Sequence, residues 1–532
     1  MLLLAACMDL LDVSIVNVAI PSIQRGVSAD YAAIEWVLAG YTLAFAVGLI
    51  TGGRLGDIYG RKTMFLVGTA GFTIASALCG VAADPGMLIG ARVLQGAAAA
   101  VMVPQVLSII QVSFPERERP AALGAYGAAA GLATISGPLL GGLLIRADLF
   151  SLGWRPIFLV NVVIGAAAIV AAAALVHESK AQAAPRLDVG GVGLISAALT
   201  ALVFPLVQGR DLHWPWWTFL LLAVGGLLLA AFVGYERRLG AAGGSPLLAM
   251  SLFRRRSFSA GTALTLSFML GLASFYLILT LYLQVGLGYT ALHTGLTTVP
   301  SSIGLAVAAA AASKHAPRLG RRLLAPGALL AAGGIAWMIA TFNQHGAAIT
   351  SWQIAPSMFT LGLGMGIVAP SLIDASLADV PHEHAGSASG VVNTMMQLGG
   401  AIGVAIIGVV FFGLLGGSAD HHANAVRPQL RTELAATGLP PASQDALVRG
   451  FTRCFHDRFA TTDISATPAS CHLPAAASQP PVVQALAKAS RHASASNFGS
   501  AITRSLWFQV GAFALTALLM LALPRRLNLS HP

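Results

Sequence analysis

The chain has 532 residues, of which 56% are hydrophobic and only 10% are charged, and its mean hydropathy is +0.76. A soluble domain carries roughly 25% charged residues, so most of this chain must face lipid or other apolar helices. The net charge of +10 is scattered through the loops between apolar segments and forms no compact stripe. This distribution argues against binding to nucleic acid. It is the distribution expected of a protein embedded in a lipid bilayer.

Fourteen apolar segments, each about long enough to cross a bilayer, predict an all-α integral membrane protein. The first segment has no basic flank and contains two aspartates, so it is predicted to be a retained span and not a signal peptide. The predicted spans lie near residues 2–22, 33–52, 63–82, 87–112, 121–144, 156–176, 189–208, 217–235, 259–284, 295–312, 325–342, 353–375, 389–415 and 503–523.

The basic residues predict the orientation of these spans. The loops after the even-numbered spans, together with the C-terminal tail, carry 18 Lys and Arg residues, whereas the opposite short loops carry 4. By the positive-inside rule both termini are expected in the cytoplasm. Hydropathy further suggests an N-terminal bundle of six spans over 1–176, a linker with two extra spans over 177–258, and a C-terminal bundle over 259–532.

Span 1 contains the carboxylates Asp9 and Asp12, three residues apart and therefore on nearly the same helix face. A carboxylate within a span is costly and marks a functional site by default. We expect Asp12, and secondarily Asp9, to bind and release protons. The alternative for Asp12 is a structural hydrogen bond to a neighbouring helix.

The turn between spans 2 and 3 is short, basic and rich in glycine. Its glycines allow a tight turn, and its one carboxylate, Asp57, can pair with a neighbouring helix end or cation. The ordered spacing of the following residues distinguishes it from an arbitrary basic loop: Gly53, Asp57, Gly60, Arg61 and Lys62.

Spans 4 and 5 each carry a further polar or kinking feature. Arg92 in span 4 stays charged and therefore needs a carboxylate, polar backbone or water; Gln95 follows three residues later. Span 5 contains Gly137, Pro138, Gly141 and Gly142. The proline is expected to kink the helix, and the glycines allow a neighbouring helix to approach closely.

These stretches together resemble the major facilitator superfamily, in its 14-span drug:proton antiporter branch. The chain departs from the family pattern at Ser14, where threonine is usual, and at Ile58, where arginine is usual. The resemblance implies two six-helix bundles plus two inserted linker helices. It also implies proton coupling by Asp12 and Arg92, gating by the loop 53–62, and an antiporter motif in span 5.

The substrate wall is harder to predict, because aromatic, amide and methionine side chains in spans usually serve ordinary packing. Such side chains also offer soft contacts for bulky apolar cations. The candidates for the substrate cavity are Asn17, Trp36, Gln95, Phe275, Tyr282, Gln284, Asn393, Met396 and Gln397.

Residues 416–502 differ in kind from the rest, since they are rich in Ala, Ser, Pro and His and too polar for the bilayer. We call this stretch the insert. It is expected outside the cytoplasm, to contain two short helices near 425–436 and 443–453, and to lack a core of its own. Cys454 and Cys471 both lie in it, where oxidising conditions favour a disulfide; two free thiols are the alternative.

No enzyme site, cofactor site or metal site is expected. The chain has no phosphate-binding loop that would make ATP the driving force, and its histidines lack metal-ligand spacing. The sequence therefore predicts a cell-membrane (inner-membrane) antiporter that uses the proton gradient to export amphipathic, cationic drugs. A dedicated exporter of one metabolite, peptide or siderophore, or a non-transporting sensor, remains an alternative. In a Gram-negative cell, a periplasmic adaptor and an outer-membrane channel would be candidate partners.

Overall fold

The structure is a computed structural model, and its described residues are almost entirely helical. No strand occurs among them. The described residues are 2–29, 31–115, 118–180, 187–209, 212, 214–319, 323–381, 384–460, 468–472 and 479–520.

Sixteen α-helices follow one another in the described part of the chain. They are α1 (Leu2–Gly26), α2 (Tyr31–Tyr59), α3 (Arg61–Gly80), α4 (Pro85–Ser113), α5 (Arg119–Ala147), α6 (Pro156–Leu175), α7 (Val189–Gln208), α8 (Trp216–Ala241), α9 (Arg256–Leu281), α10 (Ala291–Leu319), α11 (Leu324–His345), α12 (Ser351–Leu377), α13 (Ala385–Ala425), α14 (Arg427–Ala435), α15 (Pro441–Ala460) and α16 (Pro480–Leu519).

The fourteen predicted spans correspond to α1–α13 and α16. Twelve helices of the described residues are long and apolar enough to cross a membrane. The other two predicted spans fall on α1 and α5, which are 25 and 29 residues long. The all-helical membrane architecture predicted from hydropathy is therefore confirmed. The division into bundles at 176 and 258 stays a prediction.

Buried apolar side chains from the N-terminal helices pack against those of α12 and α13 near one end of the helices. One core cluster joins α2, α3 and α4 to α7, and it continues into the end of α12 and the start of α13 through Leu377, Ala388 and Val391. A second cluster fills the space among α9, α11, α12, α13 and α16. Contact between the two sets of helices therefore includes the end at which α13 begins.

The insert extends the two flanking helices beyond the predicted spans. α13 has 41 residues and α16 has 40, so each is about 60 Å long at 1.5 Å per residue. That is about twice the thickness of a bilayer's hydrocarbon core. The two predicted short helices correspond to α14 and α15; Pro440 precedes α15, whose first residue is Pro441.

The apolar residues of the insert are buried against the C-terminal helices and form no separate cluster among the described residues. Leu430 of α14, Val448 and Phe455 of α15 and Val482 of α16 are buried and belong to the same cluster as the C-terminal helices. The reason is helical periodicity: apolar residues recur every four positions along α15, which gives an otherwise polar helix one apolar face.

Candidate transport site

A buried polar network surrounds Asp12, whose side chain is fully inaccessible to solvent. The Oδ2 atom accepts a hydrogen bond from Arg92 Nη1 at 2.5 Å. The Oδ1 atom accepts from Gln95 Nε2 at 2.9 Å and from Asn161 Nδ2 at 2.7 Å. Ser76 Oγ also accepts from Gln95, at 2.8 Å. Helices α4 and α6 thus donate directly to a carboxylate on α1, and α3 is linked to it through Gln95.

Arg92 is held on all sides by partners that suit a planar cation. Besides its ion pair with Asp12, Nη1 lies 2.6 Å from Gln95 Oε1, and Nε donates to the carbonyl of Val37 at 3.1 Å. Its guanidinium carbon lies 4.3 Å from the centre of the Tyr41 ring. The partner inferred for Arg92 from sequence is therefore in place, and α2 adds a cation–π contact.

Asp9 lies one helical turn before Asp12 and is also buried. It accepts a hydrogen bond from the hydroxyl of Tyr41, the same ring that covers Arg92. The structure therefore places two carboxylates and one guanidinium around a single tyrosine. Asp12 itself accepts hydrogen bonds from three donors on two neighbouring helices, α4 and α6.

Sequence reasoning missed Tyr41 and Ser76 and did not assign Asn161 to the site. Asn161 lies near the start of α6, within the span predicted over 156–176. The available signal was a polar amide within an apolar span, since such groups need a partner inside the bilayer. Tyr41 had no such signal, because a tyrosine in a span is commonly packed or interfacial.

Asp57 lies at a second buried polar site, between α2 and α13. Its two carboxylate oxygens accept the backbone N–H groups of Gly386 and Ser387, each at 2.9 Å, and Oδ1 also lies 2.8 Å from Arg61 Nη2. The N–H groups at the start of α13 carry partial positive charge, which a carboxylate neutralises. Asp57 therefore pairs with both a helix end and a cation.

Glycines let the helices approach closely at this second site. A Cβ on Gly53 would lie 2.2 Å from the carbonyl oxygen of Gly386, and one on Gly386 would lie 2.2 Å from that of Gly53. Beside them Ser108 of α4 hydrogen-bonds Ser389 at 2.7 Å. The helices of the N-terminal and C-terminal parts are consequently closed against each other at this end.

The predicted loop 53–62 is mostly helix, because α2 continues to Tyr59 and α3 begins at Arg61, which leaves Gly60 between them. The segment that follows α6 fixes this junction. Gly60 has a φ of 107°, a conformation that favours glycine. The Glu178 carboxylate accepts the backbone N–H groups of Lys62 and Thr63 at 3.1 and 3.0 Å and so caps α3. The Lys62 ammonium donates to the carbonyl of Ala173 at 2.8 Å.

The small residues of span 5 bring α5 onto the helix that carries the aspartates. A Cβ on Gly137 would lie 1.9 Å from Ser14 Oγ, and one on Gly141 would lie 2.8 Å from Ile15 Cγ1. Gly142 faces open space. The side chain of Pro138 lies outside the described part of the structure.

The predicted substrate wall is not one surface in this conformation. Trp36 is 38% exposed and its ring lies 5.9 Å from that of Phe204 on α7, so it faces the linker helices. Phe275 and Tyr282 are fully buried in the C-terminal core. The remaining candidates are scattered: Gln95 belongs to the Asp12 network, Asn393 donates to the carbonyl of Ser389, and Gln284, Met396 and Gln397 are half-buried.

Among these candidates, the side chain of Asn17 lies outside the described residues. Aromatic identity alone could not separate a lining position from a core position. Packing decided this: Tyr282 lies against Phe342 with ring centres 5.0 Å apart.

In the insert, Cys454 and Cys471 are joined by a disulfide. The other two cysteines are free: Cys7 is half-buried and Cys79 is buried. No group of three or more His, Cys, Asp or Glu side chains that could hold a metal ion occurs among the described residues.

Comparison with known proteins identifies the family. Residues 2–404 match the model of the Major Facilitator Superfamily, and the chain belongs to that superfamily. Among solved structures it resembles the human organic anion transporter MFSD10, with a TM-score of 0.52, 14% identity, and coverage of 76% of this chain and 91% of that one. That likeness concerns the fold.

Curated relatives include exporters and resistance proteins of bacteria. The chain is 44% identical to a probable actinorhodin transporter of Streptomyces coelicolor over 98% of this chain and 90% of that protein. It is 34% identical to a puromycin resistance protein of Streptomyces alboniger, covering 85% and 86%, and 34% identical to a tetracenomycin C resistance and export protein of Streptomyces glaucescens, covering 76% and 74%. The protein is thus a multi-pass membrane transporter of the kind that exports antibiotics or drugs.

Proposed function

We propose that the protein is a proton-coupled antiporter that exports amphipathic drugs or toxic compounds, cations among them, by alternating access. The observation that carries the proposal is the buried network in which Asp12 meets Arg92, Gln95 and Asn161. An intramembrane carboxylate that is paired with a permanent cation is suited to proton coupling, because protonation of the carboxylate would weaken its ion pair with that cation.

The Asp57 site supports alternating access. It joins α2 to the start of α13 at one end of the helices, where Gly53 and Gly386 are in close contact. Opening this end would require the carboxylate to leave the two backbone N–H groups. We propose that this end is the cytoplasmic one, which makes the present conformation closed to the cytoplasm.

The orientation is testable by cysteine labelling in intact cells. If both termini are cytoplasmic, Cys454 and Cys471 lie outside the cytoplasm and react with an impermeant maleimide only after reduction. Labelling that requires opening of the cytoplasm would contradict the orientation.

Transport itself is tested in proteoliposomes under an imposed pH gradient. With protons moving down their gradient, the protein should drive ethidium or puromycin against its own gradient, and collapse of the gradient with an ionophore should stop it. Unlabelled substrate should also support counterflow. Counterflow without any response to the pH gradient would contradict proton coupling. Absence of both counterflow and pH-driven transport would indicate a membrane protein that does not transport.

A second candidate is a dedicated exporter of one endogenous compound. The specific observation in its favour concerns the probable actinorhodin transporter, whose name gives one compound. Its 44% match covers 98% of this chain and so includes the insert, whereas the match to the tetracenomycin C relative covers 76% of this chain. Deleting the gene should then make a single product accumulate inside the cell. A broad loss of drug resistance instead would favour the multidrug function.

A further inference from the structure

The two carboxylates next to Tyr41 are held in different ways. Asp12 is fully inaccessible, and its oxygens accept hydrogen bonds from one guanidinium and two amide groups. Asp9 is 7% exposed, and among the described residues its one hydrogen-bond donor is the hydroxyl of Tyr41. The first carboxylate is therefore fixed by a cation and two amides, whereas the second is held by a neutral phenol and keeps a surface that solvent can reach.

The formal charges of this cluster do not cancel when both carboxylates are ionised. Arg92 keeps its proton and supplies one positive charge, which Asp12 already engages in an ion pair. Asp9 then adds a second negative charge within the same buried group of side chains. A buried carboxylate without a counter-ion is costly in a membrane span. One proton bound at Asp9 would remove the excess charge and leave the ion pair intact.

Solvent access favours Asp9 over Asp12 as the group that exchanges a proton in this conformation. A proton reaches a carboxylate through water, and of the two only Asp9 has exposed surface. The other titratable side chains described around Asp9, besides those of the network, are Tyr126 on α5 and Cys7 on α1. Phenols and thiols are ordinarily neutral at pH 7, so these two groups do not supply the missing positive charge.

Tyr41 connects Asp9 to the ion pair through the two ends of its side chain. Its hydroxyl donates to the Asp9 carboxylate, and its ring covers the guanidinium of Arg92, with 4.3 Å between the guanidinium carbon and the ring centre. A hydrogen bond to an ionised acceptor is stronger than one to a neutral acceptor. The hydroxyl therefore favours the ionised form of Asp9, and the hydrogen bond that it makes helps to hold the ring in place over Arg92.

We propose that Asp9 holds the exchanged proton in this conformation, and that Tyr41 is the positioning residue that sets how tightly the proton is held. Asp12 remains the counter-ion of Arg92. In this step a hydronium ion gives its proton to the Asp9 carboxylate and leaves as water, and no other bond changes. An organic cation can neutralise the same carboxylate, so the proton and a cationic drug compete for Asp9. This inference rests on the proposed proton-coupled function and identifies the group that carries the proton.

The first test uses the full-length protein in proteoliposomes with ethidium, an organic cation. The quantity measured is the ratio of ethidium transport rates with and without an imposed pH gradient. In Asp9→Asn this ratio should fall to about one while ethidium counterflow remains measurable, because the amide still accepts a hydrogen bond but does not bind a proton. Asp9→Glu keeps a titratable group and should retain the response to the gradient. Asp420→Asn, at an exposed carboxylate of α13, is the control.

The second test concerns Tyr41. Tyr41→Phe keeps the ring over Arg92 but removes the hydroxyl that stabilises ionised Asp9. The pH profile of ethidium efflux should therefore move toward higher pH by about one unit, as expected for loss of one hydrogen bond to a charged group. Tyr276→Phe is the matched control, because it removes a hydroxyl of α9 that hydrogen-bonds Ser301 at 3.2 Å. A merely structural role of Tyr41 would lower the rate without moving the profile.

The possible results separate this inference from the proposed function. If the wild-type protein shows no response to the pH gradient, both are overturned. If the wild-type protein responds and Asp9→Asn responds equally, the assignment to Asp9 is wrong and proton coupling stands. Loss of counterflow in both Asp9→Asn and Asp9→Glu would make Asp9 a structural residue and also overturn the inference. An unchanged pH profile in Tyr41→Phe would overturn the positioning role of the tyrosine.

Discussion

The Asp12 network and the insert show two ways in which one chain stabilises polar residues. Around Asp12, charged side chains are buried and held by several helices at once, so each group depends on its neighbours. In the insert, an apolar core and a disulfide hold the helices, and the ion pairs are exposed. The superfamily model ends at residue 404, before the insert begins. We therefore expect substitutions to be far more damaging in the first region than in the second.

Asp12→Asn should have the largest effect and reduce proton-driven efflux by about a hundredfold or more. The amide keeps the shape of the carboxylate but cannot carry a proton, and it leaves Arg92 without its counter-ion. Efflux from proteoliposomes under a pH gradient measures the effect. Asp420→Asn, an exposed carboxylate of α13, is the matched control. Normal pH-driven efflux in Asp12→Asn would remove Asp12 from the coupling path.

Arg92→Lys should lower the transport rate by about tenfold, equivalent to 1.4 kcal/mol in the barrier. Lysine keeps the charge but loses the planar fork that reaches Asp12, Gln95 and the Val37 carbonyl together. Size-exclusion profiles should show that the variant still folds. A rate equal to that of the wild type would show that the geometry at this position is unimportant.

Asp57→Asn should slow turnover severalfold while drug affinity stays the same. The amide has one acceptor oxygen, so it cannot accept both backbone N–H groups of α13 and also pair with Arg61. The comparison is between equilibrium drug binding and transport rate in the same preparation. Weaker drug binding with unchanged turnover would contradict the gating role of Asp57.

Replacing Cys454 and Cys471 together by serine should destabilise the insert but spare transport-competent insertion of α1–α12. Closing the loop between residues 454 and 471 is worth roughly 3 kcal/mol in the chain-entropy model. Limited proteolysis should show faster cleavage within 416–502 and an unchanged rate elsewhere. Equal loss of protection throughout the chain would mean that the two regions are not separable.

The smallest effect is expected at the contact between α14 and α16. A hydrogen bond from Lys488 holds the pKa of the Glu433 carboxyl below its ordinary value of 4.5. Because the folded pKa is the lower one, the contact stabilises the insert above the ordinary pKa and is lost as pH falls through the folded pKa. Glu433→Gln should remove that acid-dependent part of insert stability in proteolysis assays. An unchanged acid response would exclude this pair as its source.

The sequence alone determined the helical membrane architecture, because apolar runs of span length have few other stable structures in lipid. It also determined that Asp12 and Arg92 need partners, since isolated charges are costly in such spans. It indicated the positions of α14 and α15. It also predicted a Cys454–Cys471 disulfide, because both cysteines lie in the insert, which the charge distribution of the loops places outside the cytoplasm.

Only the tertiary structure decided which groups those partners are. Tyr41, Ser76 and Asn161 lie far from Asp12 along the chain, and helix packing brings them together. It likewise placed Trp36 against the linker helices and not in a shared cavity wall. It also joined the insert to the core of the C-terminal helices, because the apolar faces of α14 and α15 pack in one cluster with α13 and α16. Periodicity specifies which face of a helix is apolar, but the neighbour that covers it depends on how all the helices pack.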